Sequence, residues 1–233
     1  MRLIKVIGIP MLALSVLGMT GCSSMTNTGK GALIGGGGGA GLGAGLGALI
    51  GGGKGAAIGA AIGAAVGTGA GVLIGKRMDK QQAELEAELA RQAQIEQTTD
   101  SNGLQAIKVT FNGGILFPTN GTTLSASAKA DLTKFAASLI NNPGTNVQIY
   151  GFTDDTGTLA VNQRVATGRA DAVRNYLLNS GVAASRLSAE GLPMQDYVAS
   201  NATPEGRAQN RRVEIYITAS QQMIEAANNG TLQ

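Results

Sequence analysis

The chain has no histidine, no tryptophan and one cysteine among its 233 residues, and aromatics make up only 3% of it. Without histidine there is no Ser-His-Asp or Cys-His nucleophile system, and the usual zinc ligand set is missing too. A single cysteine rules out a disulfide within the chain. Excess charge of either sign is also scarce, since 18 Lys+Arg against 15 Asp+Glu leave a formal charge of +3. No Lys/Arg cluster with interleaved aromatics occurs, so no nucleic-acid partner is expected. Neither a cofactor nor a metal is expected. Only carboxylate, lysine or serine chemistry stays open to an enzyme, and none is expected.

What is present begins with residues 1–21, which read as an export signal. Arg2 and Lys5 give a positive start, and Val6 to Met19 form an uncharged apolar run too short for a comfortable span. Thr20 and Gly21 then precede Cys22. This ending resembles the bacterial lipobox, with Met19 in place of the more usual Leu. The resemblance implies a diacylated Cys22 as mature N-terminus and, with Ser23 and Ser24 following, an address at the inner leaflet of the outer membrane. Lipid reached through Cys22 acylation is therefore an expected partner.

A polar spacer, 22–30, leads to a repeat. Glycine occupies positions 31, 35, 39, 43, 47, 51, 55, 59, 63, 67, 71 and 75, with Ala, Leu, Ile and Val between them and one charge, Lys54, at the middle. Extended G-x-x-x-G patterning lets helices approach closely in lipid. The block 31–75 is expected to be a membrane-inserted helical hairpin with Lys54 at its far tip, each arm about 30 Å long. Packing outside the bilayer or self-association into a homo-oligomer, and a disordered Gly-rich linker, are the alternatives. Residues 76–103 read as a linker: a polar helix from Met78 to Gln97 with a narrow stripe at Leu85 and Leu89, ended by T-T-D-S-N-G. Such a helix would hold the following domain about 30 Å from the membrane.

From Leu104 the composition becomes globular. Ile107, Val109 and Phe111 alternate as a strand, and Ser125 or Ser127 could cap a helix carrying Leu132, Phe135 and Leu139. Val147 to Tyr150 is a second strand that stops at a turn on Gly151 and Gly157. A second helix from about Leu159 buries Val161, Val165, Val173 and Leu177. Leu187 to Glu190 and Val213 to Ile217 complete a β-α-β-α-β-β order, and 220–233 reads as a polar tail. The expected fold class is α/β (α+β), with two helices on one face of a small mixed sheet. The second strand-helix junction carries Thr153, Asp154 and Asp155, with Arg169 on the helix. A carboxylate and a guanidinium at one crevice can grip a ligand holding both ammonium and carboxylate.

Four pieces of this region resemble the OmpA-like C-terminal domain: G-F-T-D-D-T-G at Gly151–Gly157, Asn162 with Arg169-Ala170, Gly191, and G-R-A-Q-N-R-R-V-E-I at Gly206–Ile215. The likeness covers about 104–219. With the lipobox and zipper, the whole chain resembles YiaD-type outer-membrane lipoproteins. It implies an OmpA-like two-layer domain that binds peptidoglycan non-covalently through stem-peptide diaminopimelate and links the outer membrane to the cell wall. The family's binding Asp falls on Asp154 and its binding Arg on Arg169, with Thr153, Asn162 and Arg211 as supporting contacts. Phe152 stands where His is common, and Pro118 where many members carry Asp, leaving Asn120 as a weak substitute. Asp155 reads as a solvated neighbour, and Arg211 or Arg212 as structural. Competing readings are a wall hydrolase using Asp154 and Asp155, a stator-like anchor, and a glycine-zipper membrane oligomer.

Overall fold

The computed structural model describes residues 69–118 and 121–232. The expected signal, Cys22, the first zipper arm, Lys54 and Asn120 lie outside the described residues. Five strands form one sheet: β1 (Ala93–Thr99), β2 (Gln105–Asn112), β3 (Thr145–Phe152), β4 (Leu187–Leu192) and β5 (Arg212–Ala219). Their spatial order is β1-β2-β5-β3-β4, antiparallel except for the parallel β3–β4 pair. The β3–β4 crossover is made by a helix, as parallel pairing requires.

The helices are α1 (Gly69–Leu89), α2 (Gly113–Leu116), α3 (Ala126–Asn141), α4 (Leu159–Asn179), α5 (Pro204–Asn210) and α6 (Gln221–Asn228). α3 starts at Ser125, whose hydroxyl accepts the Ala128 N–H at 3.0 Å, as an N-cap should. One apolar core joins α1, α3, α4 and α6 to one side of the sheet: Ile107, Val109, Phe111, Val147, Ile149, Val213, Ile215 and Ile217 all face it fully buried. The other side carries a small cluster in which Tyr150 and Tyr216 meet edge to face at 5.8 Å. Fold class is as expected, a two-layer α/β domain.

The boundaries differ. The expected solvated linker over 76–103 is part of the domain. Ala70, Ile74, Met78, Leu85 and Leu89 sit in the core, spaced so that they line one face of α1. α1 ends at Leu89, not Gln97, and 93–99 forms the edge strand β1, paired from Ala93↔Phe111 to Thr99↔Gln105. The T-T-D-S-N-G stretch contains the hairpin turn, where Asp100 Oδ1 accepts the N–H groups of Asn102 (2.8 Å) and Leu104 (2.9 Å). The tail is likewise not idle, since Met223, Ile224 and Ala227 of α6 join the core against α1.

The zipper boundary moves too. Its last two turns, Gly69–Gly75, are the first turns of α1. The rest of the second arm, 55–68, lies outside the described residues, and with it most of the expected hairpin. Among the described residues, no helix is long and apolar enough to cross a membrane.

These boundaries predict that a fragment of residues 104–219 will not fold, because it lacks the α1 and α6 side chains that close the core. A fragment of residues 69–232 should melt cooperatively. Circular dichroism melts of the two fragments check this, and a cooperative transition in the shorter one would contradict the assignment of α1 to the domain.

Candidate functional site

The sheet topology gathers three chain segments at one end. β2 and β3 run in one direction and β5 in the other, so β2 and β3 end where β5 begins. Asn112 pairs with Arg212, Gly151 with Val213, and the Gly113 N–H donates to the Arg211 carbonyl at 2.8 Å. Thr153 and Asp154 therefore leave β3 beside Arg211.

Arg169 reaches the same place because α4 lies directly on backbone. A Cβ at Gly151 would collide with the Ala166 carbonyl oxygen, and one at Gly191 with the Thr167 amide. Glycine at these two strand positions lets the middle of the helix, not its start, meet the strand end. Gly151 is thus a strand residue in close contact rather than the expected turn residue. The 153–158 segment runs back along the helix. Asn162 fastens it, with Nδ2 donating to the carbonyls of Thr156 (2.8 Å) and Thr158 (3.2 Å).

Asp154 is 4% exposed. Its Oδ1 accepts from the Thr156 N–H at 3.0 Å and the Thr156 hydroxyl at 2.5 Å. Its Oδ2 accepts from Arg211 Nη1 at 2.5 Å. Burial alone would raise the carboxyl's pKa, but the Thr156 and Arg211 hydrogen bonds and the Arg211 charge together hold it below the ordinary value. Arg169 is 3% exposed. Its Nε donates to the Gly121 carbonyl at 3.1 Å and its guanidinium lies 5.4 Å from the Phe117 ring centre. Its two Nη groups make no hydrogen bond or ion pair among the described residues. Burial and then the Arg211 charge lower its pKa, with Asp154 opposing them. All three charged groups thus act on one another, two cations to one anion.

The sequence-selected residues divide by what they touch. Asp154, Arg169 and Arg211 converge. Thr153 accepts the Met194 N–H at 3.1 Å, and Asn162 holds the turn, so both brace the site. Asp155 is exposed. Arg212, not Arg211, is the structural arginine: it pairs with Glu214 at 2.7 Å and lies 3.9 Å over the ring of Phe152. Asp154 and Arg169 are both buried, covered by the segments that position them. Thr156 and Phe117 were missed. A Thr two residues after Asp154 was the available signal, since Asp side chains bond backbone two residues on. Among the described residues no group of acidic or cysteine side chains could hold a metal.

Residues 116–211 match the OmpA family, and residues 2–79 match the YMGG-like Gly-zipper family. The chain is 41% identical over 104 residues to the Escherichia coli (strain K12) protein named "Probable lipoprotein YiaD", covering 45% of this chain and 48% of that one. It is 40% identical over 112 residues to "Peptidoglycan-binding protein ArfA" of Mycobacterium bovis, covering 48% and 34%. The cell wall anchor of the T6SS from Pseudomonas aeruginosa superposes with TM-score 0.52 at 30% identity, over 60% of this chain and 97% of that one. The folded domain belongs to the OmpA family. The chain spans about half of the YiaD relative's length and a third of ArfA's, so the likeness is to a domain rather than to whole proteins.

The Asp154–Arg211 pair carries a pH prediction for the OmpA-family domain. A carboxyl with a depressed native pKa stabilises the fold above its unfolded pKa, and that stability is lost as pH falls through the native value. Asp154→Asn should therefore cost about 1–2 kcal/mol near pH 7, a charged hydrogen bond discounted for the half-exposed Arg211. The gap to wild type should close below about pH 4. Thermal melts from pH 7 to 3 check it; a gap independent of pH would contradict the assignment.

Proposed function

We propose that this domain binds peptidoglycan non-covalently, gripping the diaminopimelate of the stem peptide, and so links the outer membrane to the cell wall. The observation that carries this is the buried Arg169, whose two Nη groups have no partner among the described residues, beside one carboxylate and a second arginine. A desolvated fork of N–H donors in a site of net positive charge suits a carboxylate, and bidentate pairing is the strong form of that contact. Asp154, held ionised, suits the ligand's ammonium. The Arg211 pairing leaves Oδ2 one further lone pair, and half-exposed Arg211 can turn toward the ligand's carboxylate. A carboxyl kept below its ordinary pKa is a poor proton donor, which favours binding over acid catalysis. The relatives named as a lipoprotein and as a peptidoglycan-binding protein support the same reading.

Arg169→Lys keeps the charge and loses the fork, and should weaken sedimentation with purified sacculi about tenfold. Arg169→Met should weaken it about a hundredfold, the scale expected for one or two charge-assisted contacts. Asp155→Ala should bind as wild type. Unchanged sedimentation of folded Arg169→Met would sink the assignment.

We further infer that the membrane link is lipid on Cys22 rather than a span. The chain's single cysteine follows an export-type leader, and the zipper's last turns are committed to the domain core, which favours a zipper packed outside the bilayer or against a second copy. Cys22→Ala protein should be released from envelopes by alkaline carbonate. Retention would indicate that the zipper itself is embedded.

A further inference from the structure

The connection from β4 to α5, Pro193–Thr203, has no part in the clamp described above, yet it is built as though its shape mattered. Met194 and Asp196 have φ of 54° and 52°, a left-handed conformation that non-glycine residues rarely adopt and that costs on the order of 1 kcal/mol or more. Buried polar groups enforce it. Thr153 Oγ1 takes the Met194 N–H at 3.1 Å. Arg212 Nη2 donates to the Asp196 carbonyl at 2.8 Å. The fully buried Asn210 accepts the Val198 and Ala199 N–H groups through Oδ1, at 2.9 and 3.0 Å, and returns a hydrogen bond to the Ala199 carbonyl at 2.8 Å. Residues 194–199 are thereby fixed to Thr153, the neighbour of Asp154, and to Arg212, the neighbour of Arg211.

The product of this strained, heavily pinned turn is the outward display of two large apolar side chains. Tyr197 is 42% exposed and Val198 57%. A turn braced this firmly needs no exposed aromatic for its own stability. The Tyr197 ring also lies within the field of the site: partial burial and then the charges of Asp155 and Asp154 raise its phenol pKa. Leu159 and Val161 are exposed at the start of α4, and Leu159 shares a pocket with Pro193 and Gln195 of the same connection, so apolar surface is displayed on this side of the site. Stem peptide offers apolar surface next to its zwitterion, namely the methylenes of the diamino acid and the methyl groups of the adjoining alanines.

We propose that Tyr197 is a ligand-contacting residue of this site, its ring packing on the stem peptide beyond the zwitterion and selecting peptide-linked diaminopimelate over the free amino acid. The proposal rests on the peptidoglycan reading above. Aromatic packing of a partly exposed ring supplies affinity through apolar area, while the clamp supplies orientation.

The test uses the full chain in detergent and two probes, the tripeptide L-Ala-γ-D-Glu-meso-diaminopimelate and free meso-diaminopimelate. With four tyrosines and no tryptophan, intrinsic tyrosine emission is the signal. Tyr150 and Tyr216 are buried and Tyr176 bonds Thr133 on α3, which makes Tyr197 the tyrosine at the site. Tripeptide should change the emission of wild type but not of Tyr197→Leu. By calorimetry Tyr197→Ala should bind tripeptide 5- to 30-fold more weakly and free diaminopimelate within twofold of wild type, with an unchanged melting temperature. Tyr197→Phe should restore tripeptide binding. If wild type binds both probes and Tyr197→Ala binds tripeptide equally well, the role of Tyr197 is overturned and the peptidoglycan reading stands. If wild type binds neither tripeptide nor sacculi, both are overturned.

Discussion

Close contact between α4 and the backbone of β3 and β4 is the constraint from which the site follows. At Gly151 and Gly191 no side chain separates helix from strand. Any Cβ there would lift the helix by displacing the Ala166 carbonyl or the Thr167 amide, and overpacking of this kind typically costs about 1–3 kcal/mol. The larger effect would be on position. Arg169 lies three residues beyond Ala166, so tilting the helix moves the guanidinium away from Asp154 and Arg211. Fold and function are coupled here through two absent side chains.

The charge arrangement is stable only because each ion is partly answered. Asp154 is saturated on one oxygen by Thr156 and shares the other with Arg211. Among the described residues Arg169 has a carbonyl and an aromatic face but no dedicated anion. Burying a cation so incompletely paired is costly, and the surrounding core must offset that cost. The Arg212–Glu214–Tyr216 chain on the other side of the sheet shows the contrasting case. There every charge has a partner, with Tyr216 donating to Glu214 at 2.8 Å, and the cluster braces backbone instead of offering a group to a ligand. The difference between Arg212, fully paired on β5, and Arg169, left open on α4, separates structure from recognition.

Much of this was legible in the sequence because the relevant residues sit in regular elements with strong periodicity. β3, α4 and β5 alternate or repeat apolar residues cleanly, and Asp154, Arg169 and Arg211 fall at their ends or faces. What was hidden had weak or conflicting patterning. The strand 93–99 reads A-Q-I-E-Q-T-T, an edge strand with one large apolar residue, so it looked like the continuation of a polar helix. Ile74 and Met78 belong to the same face as Leu85 and Leu89, but the glycine repeat ending at Gly75 drew a boundary through the middle of that face. Met223 and Ile224 are two apolar residues in a polar tail, insufficient to announce a helix until α1 supplies its partner. The depth of Arg169 was illegible for a different reason: burial of a charge depends on how closely a helix approaches, which glycine spacing permits but does not state.

The integration of α1 also decides how load would pass through the molecule. The chain joins the domain where Gly75 meets Gln105 and where Met78 and Gln81 adjoin Asn142–Thr145, at the starts of β2 and β3. Asp79 accepts from Gln105 there at 2.8 Å. The Asp154 site lies past the opposite ends of the same strands. Eight residues of β3 at about 3.3 Å each put the two poles roughly 25 Å apart. On the proposed reading, one pole leads toward the membrane and the other holds the wall, so tension between them acts along the strands. Antiparallel ladders pulled along their length must break many hydrogen bonds together, whereas a free spacer helix would unravel one turn at a time. Placing α1 across the sheet, with its apolar face in the core, thus converts what reads as a tether into part of the load path.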